Sequence, residues 1–122
     1  MKNDLEIFGG AGEHYFEEGC YILELANSAA DPDLSIARAR VEPGVTTRWH
    51  RLRGVAERYL ILEGGGRVEV GEQSPRPVVV GEVVRISAET PQRISNTGST
   101  DLVFLALCTP RFTPDCYEDL DG

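Results

Sequence analysis

The sequence predicts an all-β protein, an antiparallel jelly-roll barrel or two-sheet sandwich with little helix. Short runs rich in β-branched and aromatic residues recur along its 122 residues. Turn-forming residues separate them, and no stretch sustains a helical period. Closely spaced short strands within about a hundred residues are the pattern of a sandwich or barrel. The length suits one domain, residues 1–122, with a single core.

The expected strands, in order, are Tyr21–Ala26, Leu34–Val41, Glu57–Leu62, Arg67–Val70, Val78–Val80, Val83–Ile86, Gln92–Ser95 and Leu102–Cys108. Turn signals divide them: Asp31-Pro32, Pro43-Gly44, Gly64-Gly65-Gly66, Ser74-Pro75, Gly81, Pro91 and Gly98. Alternation assigns faces within the strands. Ala37, Ala39 and Val41 share one side and Ile36, Arg38 and Arg40 the other; Val68 and Val70 oppose Arg67 and Glu69. Leu102 to Leu107 is apolar on both faces, so it needs cover on both, from the core and from a second sheet or subunit. A homodimer is therefore expected. The segment 113–122, with Asp115, Glu118, Asp119 and Asp121, reads as a partly mobile acidic surface tail.

Composition excludes several function classes. A net charge of −8 opposes binding to nucleic acid, where Lys and Arg must neutralise phosphates. Arg48, Arg51, Arg53 and Arg58 cluster and could hold a small anion, but the simpler reading is that most are solvated or pair with nearby glutamates. The apolar runs fall short of the roughly 18 residues of a membrane span. MKNDLEIFGG lacks the apolar region of a leader, so a cytoplasmic protein is expected. Cys20, Cys108 and Cys116 form no paired motif and read as reduced thiols.

The richest stretch runs from Pro43 to Gly71. Gly44 is followed after five residues by His50, then Arg51 and Leu52; four residues on comes Glu57, and six further Gly64. A second pattern opens at Gly81, with Ser87, Glu89 and Gln92 at its intermediate positions, and closes at Asn96. These spacings resemble the two motifs of the cupin superfamily, at 44–64 and 81–96, and the ending Leu102 to Phe112 resembles small single-domain bacterial cupins. The departures are specific: Leu52 stands where the family has a second histidine, Ser87 a proline, Glu89 a glycine, and Gln92 the last histidine.

Strand parity states what such a pattern can do. Residues at i and i+2 project from one face, and a neighbouring strand can oppose them. His50, Leu52, Glu57 and Gln92 are then expected in the barrel interior, with His50 and Glu57 close together. In the family such a site holds Fe, Mn, Ni, Cu or Zn. Here His50, Glu57 and Gln92 are the candidate ligands, and an amide in place of imidazole implies weak binding or none. Without a metal, His50 and Glu57 would bond to each other directly. They are also the candidate catalytic residues, as an acid–base pair. Tyr59 and Ile61 follow Glu57 at alternate positions, and Arg48 precedes His50 likewise. With Leu52 and Gln92 they are the candidate substrate-binding residues. The triple glycine reads as a hairpin turn, His14 as structural or exposed, and Asn96 as a partner of local backbone. The resemblance implies a small-molecule-binding protein, either an enzyme of the sugar isomerase, epimerase or dioxygenase kind or a non-catalytic metabolite-binding or regulatory domain.

Overall fold

The computed structural model describes residues 4–10 and 12–122; the first three residues of the stretch read for a leader lie outside these. Among the described residues, eleven strands form two antiparallel sheets: β1 (His14–Phe16), β2 (Cys20–Ser28), β3 (Asp31–Val41), β4 (His50–Leu52), β5 (Ala56–Glu63), β6 (Gly65–Val70), β7 (Arg76–Val79), β8 (Val83–Ile86), β9 (Gln92–Asn96), β10 (Leu102–Thr109) and β11 (Tyr117–Asp119). One sheet has the order β1-β2-β3-β10-β5-β8 and the other β11-β4-β9-β6-β7. The expected jelly-roll architecture is therefore found. Among the described residues, no helix is long and apolar enough to cross a membrane.

All eight expected strands are present, within a few residues of their bounds. The structure adds β1, β4 and β11, each only three residues long, too short to display a period. Asp31-Pro32, read as a turn, begins β3; the reversal lies at Ala29-Ala30, where the Ser28 hydroxyl accepts the Ala30 N–H at 3.1 Å. Leu102, Phe104 and Cys108 face the interior and are buried. On the outward face of β10, Val103 is buried while Leu105 and Leu107 are half-buried.

The acidic tail is a correction. Residues 114–116 form a 3₁₀ turn, and β11 pairs with β4 through Tyr117–Leu52, Glu118–Arg51 and Asp119–His50. The arginine cluster holds it there. Arg48 donates to Asp119 at 2.7 Å, Arg51 to Glu118 at 2.5 Å, and Arg53 to the Asp115 carbonyl at 3.0 Å. Three of the four clustered arginines thus meet the acidic segment along one strand edge, while Arg58 turns to the Thr109 hydroxyl at 3.4 Å.

Cross-strand registers stack the inward residues of the larger sheet in rows. At one end lie Val41 and Leu102, then Ile22, Ala39, Phe104 and Ile61. The next row is Glu24, Ala37, Ala106, Tyr59 and Val84; beyond it come Ser35, Cys108, Glu57 and Ile86. From the facing sheet Val68, Val78 and Ile94 fill the first end. Gly66 permits the close approach there, since a Cβ would run into the Ser95 carbonyl oxygen and meet Leu102 Cδ2 at 2.9 Å. At the other end Ala37 and Ala106 occupy the middle of their row and leave space above them.

Glu89, at the position of the second motif's glycine, keeps a glycine-like backbone with φ of 68°. Its N–H bonds the Leu52 carbonyl at 2.9 Å, and its carboxylate accepts the Gly54 N–H. Those bonds offset the cost of a left-handed conformation in a residue with a Cβ.

Candidate functional site

The space over Ala37 and Ala106 is a cavity of about 280 Å³. Its apolar walls include Phe16, Leu52, Tyr59, Phe104, Phe112 and Tyr117; its polar groups include Glu18, Glu24, His50 and Glu57. Among the described residues, no lysine or arginine lines it.

His50 begins β4 and is almost wholly buried. Its Nδ1–H donates to the Arg48 carbonyl at 2.7 Å, which leaves Nε2 facing the Glu18 Oε1 at 3.3 Å. Tyr117 stacks on the imidazole, with ring centroids 5.1 Å apart and planes inclined at 21°. Glu18 sits in the turn joining β1 and β2. That turn is closed by the Gly19 N–H to the Phe16 carbonyl at 2.9 Å and tied to the approach of β4 by the Arg48 N–H to the Glu18 carbonyl at 2.8 Å. The backbone thus delivers Glu18 to His50. Burial pushes the Glu18 carboxyl up to about 7, against a lesser opposing effect of the Cys20 thiol. Burial also lowers the His50 pKa, more than its bond to Arg48 and the nearby acids raise it. Both directions favour the neutral forms of the two groups, whose Oε1 and Nε2 lie 3.3 Å apart.

Glu57 has its own partners. Gln92 Nε2 donates to Glu57 Oε1 at 2.9 Å, the Tyr59 hydroxyl donates to Gln92 Oε1, and Cys108 Sγ lies 3.8 Å from Glu57 Oε2. Burial, then the Glu18 charge, raise the Glu57 carboxyl to about 7, with His50, Gln92 and Cys108 opposing. The direct His50–Glu57 hydrogen bond expected for a metal-free site is replaced by two pairs, Glu18–His50 and Glu57–Gln92. The reason is that a carboxylate from the β1–β2 turn reaches the imidazole, while Gln92, opposite His50 in register, turns its amide to Glu57.

These bonds also test the fit to a metal. Both ends of the Gln92 amide are engaged, Leu52 packs with Val55, Cys108 and Cys116, and His50 Nε2 faces Glu18. Among the described residues, no three His, Cys, Asp or Glu side chains converge as a donor set. The residues present do not fit the metal centre implied by the resemblance.

Of the other candidates, Leu52 and Tyr59 line the cavity. Gln92 lies behind Glu57 and Tyr59. Ile61 is buried in the packed core, away from the cavity lining. Arg48 turns out to Asp119, so it stands outside the cavity. His14, although exposed, reaches the lining; Asn96 bonds the Val41 and Thr100 carbonyls at 2.9 and 2.8 Å. Sequence reasoning missed Glu18, Glu24 and Tyr117. Glu24 had a signal, since it shares strand parity with Cys20 and Ile22, whereas Glu18 in a Glu-Gly turn looks like ordinary surface.

The conserved-domain model described as "Cupin domain" matches residues 37–108, more than half of the chain. The chain belongs to the cupin family. An oxalate-binding protein of Thermotoga maritima is 37% identical to this cupin over 71 residues, which is 58% of either chain. The alignment thus spans little more than half the length of that relative. A Thermotoga maritima structure described as a predicted oxalate decarboxylase shares 29% identity, with a TM-score of 0.68 over 75% of this cupin and 80% of that chain. KdgF from Halomonas sp. is similar in fold, with a TM-score of 0.74, 17% identity, and coverage of 88% here and 96% there.

Proposed function

We propose that this cupin binds one small, partly apolar molecule in the hollow end of the barrel, facing the Glu18–His50 pair. The cavity carries the reading: it is bounded mainly by apolar and aromatic side chains, with a few buried polar groups, as small-molecule sites are. Leu52 and Tyr59 form part of its wall, and His50 and Glu57 are its candidate reactive groups. The relative named for oxalate binding suggests a dicarboxylate. The lining argues otherwise, because Glu18, Glu24 and Glu57 face the space with no lysine or arginine to receive a dianion.

One observation favours chemistry beyond binding. Glu18 Oε1 and His50 Nε2 lie 3.3 Å apart in the cavity lining, a carboxyl–imidazole pair suited to moving a proton on and off a guest. An isomerase or epimerase reaction is therefore a better match than a dioxygenase reaction, for which the described residues supply no three-donor set. We further place the protein in the cytoplasm as a homodimer. The half-buried Leu105 and Leu107 support the dimer, which sedimentation showing only a 13 kDa species would refute.

The test of binding is a thermal-shift screen of neutral, cationic and anionic metabolites against the wild type and Ala106→Leu, whose larger side chain grows into the cavity. Stabilising compounds are expected for the wild type and lost in the variant. Equal stabilisation of both proteins would place binding elsewhere.

A further inference from the structure

Two buried side-chain polar atoms lack a hydrogen-bond partner among the described residues: Glu24 Oε2 and the Tyr117 hydroxyl. Both residues line the same cavity. Buried polar groups are normally satisfied, and each exception calls for a cause. Here the shared location supplies one, since a guest could satisfy both. They enter from opposite sheets, Glu24 from β2 beside Ala37 and Tyr117 from β11 beside Leu52.

Building on the small-molecule reading, we propose that the guest is a small organic amine, its ammonium paired with Glu24 and its body packed against the aromatic lining. A donor group elsewhere on the guest meets the Tyr117 oxygen. Three features fix the sign of the charge. Among the described residues Glu24 Oε2 has no donor beside it, and once a cation sits there the carboxylate is ionised and accepts only. The remaining acids in the lining, Glu18 and Glu57, are acceptors or potential anions, and among the described residues no lysine or arginine lines the space to receive an anionic guest. Five aromatic rings, those of Phe16, Tyr59, Phe104, Phe112 and Tyr117, face the space, and ring faces attract cations. Burial raises the Glu24 pKa, with His14, Asn27 and Arg111 opposing it. A bound ammonium would oppose that rise directly.

Calorimetric titration with benzylamine, benzyl alcohol and benzoate tests the proposal, because the three share a shape and differ in charge. Benzylamine should bind at least about tenfold more tightly than benzyl alcohol, and benzoate more weakly than either. Glu24→Gln, nearly isosteric, should weaken benzylamine by about tenfold while leaving benzyl alcohol within about twofold. Tyr117→Phe keeps the ring on His50 and should erase any preference for para-hydroxybenzylamine over benzylamine. Tighter benzoate binding, or a Glu24→Gln variant that binds benzylamine as the wild type does, would overturn the amine assignment while leaving a small-molecule site. Failure of all three probes to bind the wild type would overturn both readings.

Discussion

The two ends of this barrel are made from the same strands with the same alternation, yet one is solid and the other hollow. At the solid end Val41, Ile61, Val68, Val78, Ile94 and Leu102 interlock. At the hollow end the inward positions pass to Ala37 and Ala106, with acids and imidazole around them. Folding free energy from apolar burial is concentrated where the side chains are large. Groups that cost free energy to bury are gathered where space remains for a guest. A β-barrel can separate the two tasks along its strands because the rows are structurally equivalent and only the residues differ.

The strongest way to break this comparison is to exchange the two kinds of filling. Leu102→Ala at the solid end should cost about 2–5 kcal/mol in denaturant unfolding, as for other buried leucines. Ala106→Leu should stay within about 1 kcal/mol of the wild type, because it enters existing space rather than a packed one. Equal large losses would mean that the hollow end is as fully packed as the other.

A second contrast is in pH. Glu18 and Glu57 bind protons more tightly folded than unfolded, their pKa values rising from 4.5 to about 7. Their favourable contribution is complete below the unfolded value and is lost as pH rises through about 7. His50 works in reverse: its lowered pKa contributes stability above 6.5 that is lost as pH falls. Two carboxyls outweigh one imidazole, so stability should fall by about 2–4 kcal/mol between pH 5 and 8. Glu18→Gln should flatten that slope. A melting temperature that rises steadily over the interval would contradict the burial of both acids.

Smaller in scale is the missing vertex at Leu52. Leu52→His adds an imidazole on the face that carries His50 and should raise affinity for Mn, Ni or Zn by at least about tenfold over the wild type. Equal affinities would mean that position 52 does not share a site with His50 and Glu57. Least of all, Glu89→Gly should change stability by less than about 1 kcal/mol, since relief of the left-handed backbone offsets the lost bond to Gly54. Glu89→Ala, which loses the bond and keeps the Cβ, should be the less stable of the two in the same denaturant series.

Strand parity made much of this site legible: it put His50 and Leu52 on one face and grouped Ala37, Ala39 and Val41, while the motif resemblance brought in Glu57 and Gln92. What it could not give were the partners. Parity fixes the face from which a side chain projects, while pairing depends on which loop arrives above it. Glu18 comes from a turn, where glutamate is unremarkable in a sequence. Tyr117 comes from a three-residue strand held to β4 by its backbone ladder and by Arg48, Arg51 and Arg53, which bind its acids and the backbone near them. Arg48 followed the parity rule on paper, but Asp119 offered an outward partner and the guanidinium took it.

The pairing of β11 with β4 has a consequence for how the protein is made. Arg51 and Glu118, ion-paired across that edge, are separated by 67 positions. Contacts so distant in sequence cannot form until the later segment has emerged, and they slow folding relative to local ones. During synthesis the solid end could collapse once β10 is available, while the hollow end would still lack a wall. Its acids and aromatic rings would be open to solvent until Tyr117 leaves the ribosome, so a nascent chain should acquire its core before it acquires a place for a guest.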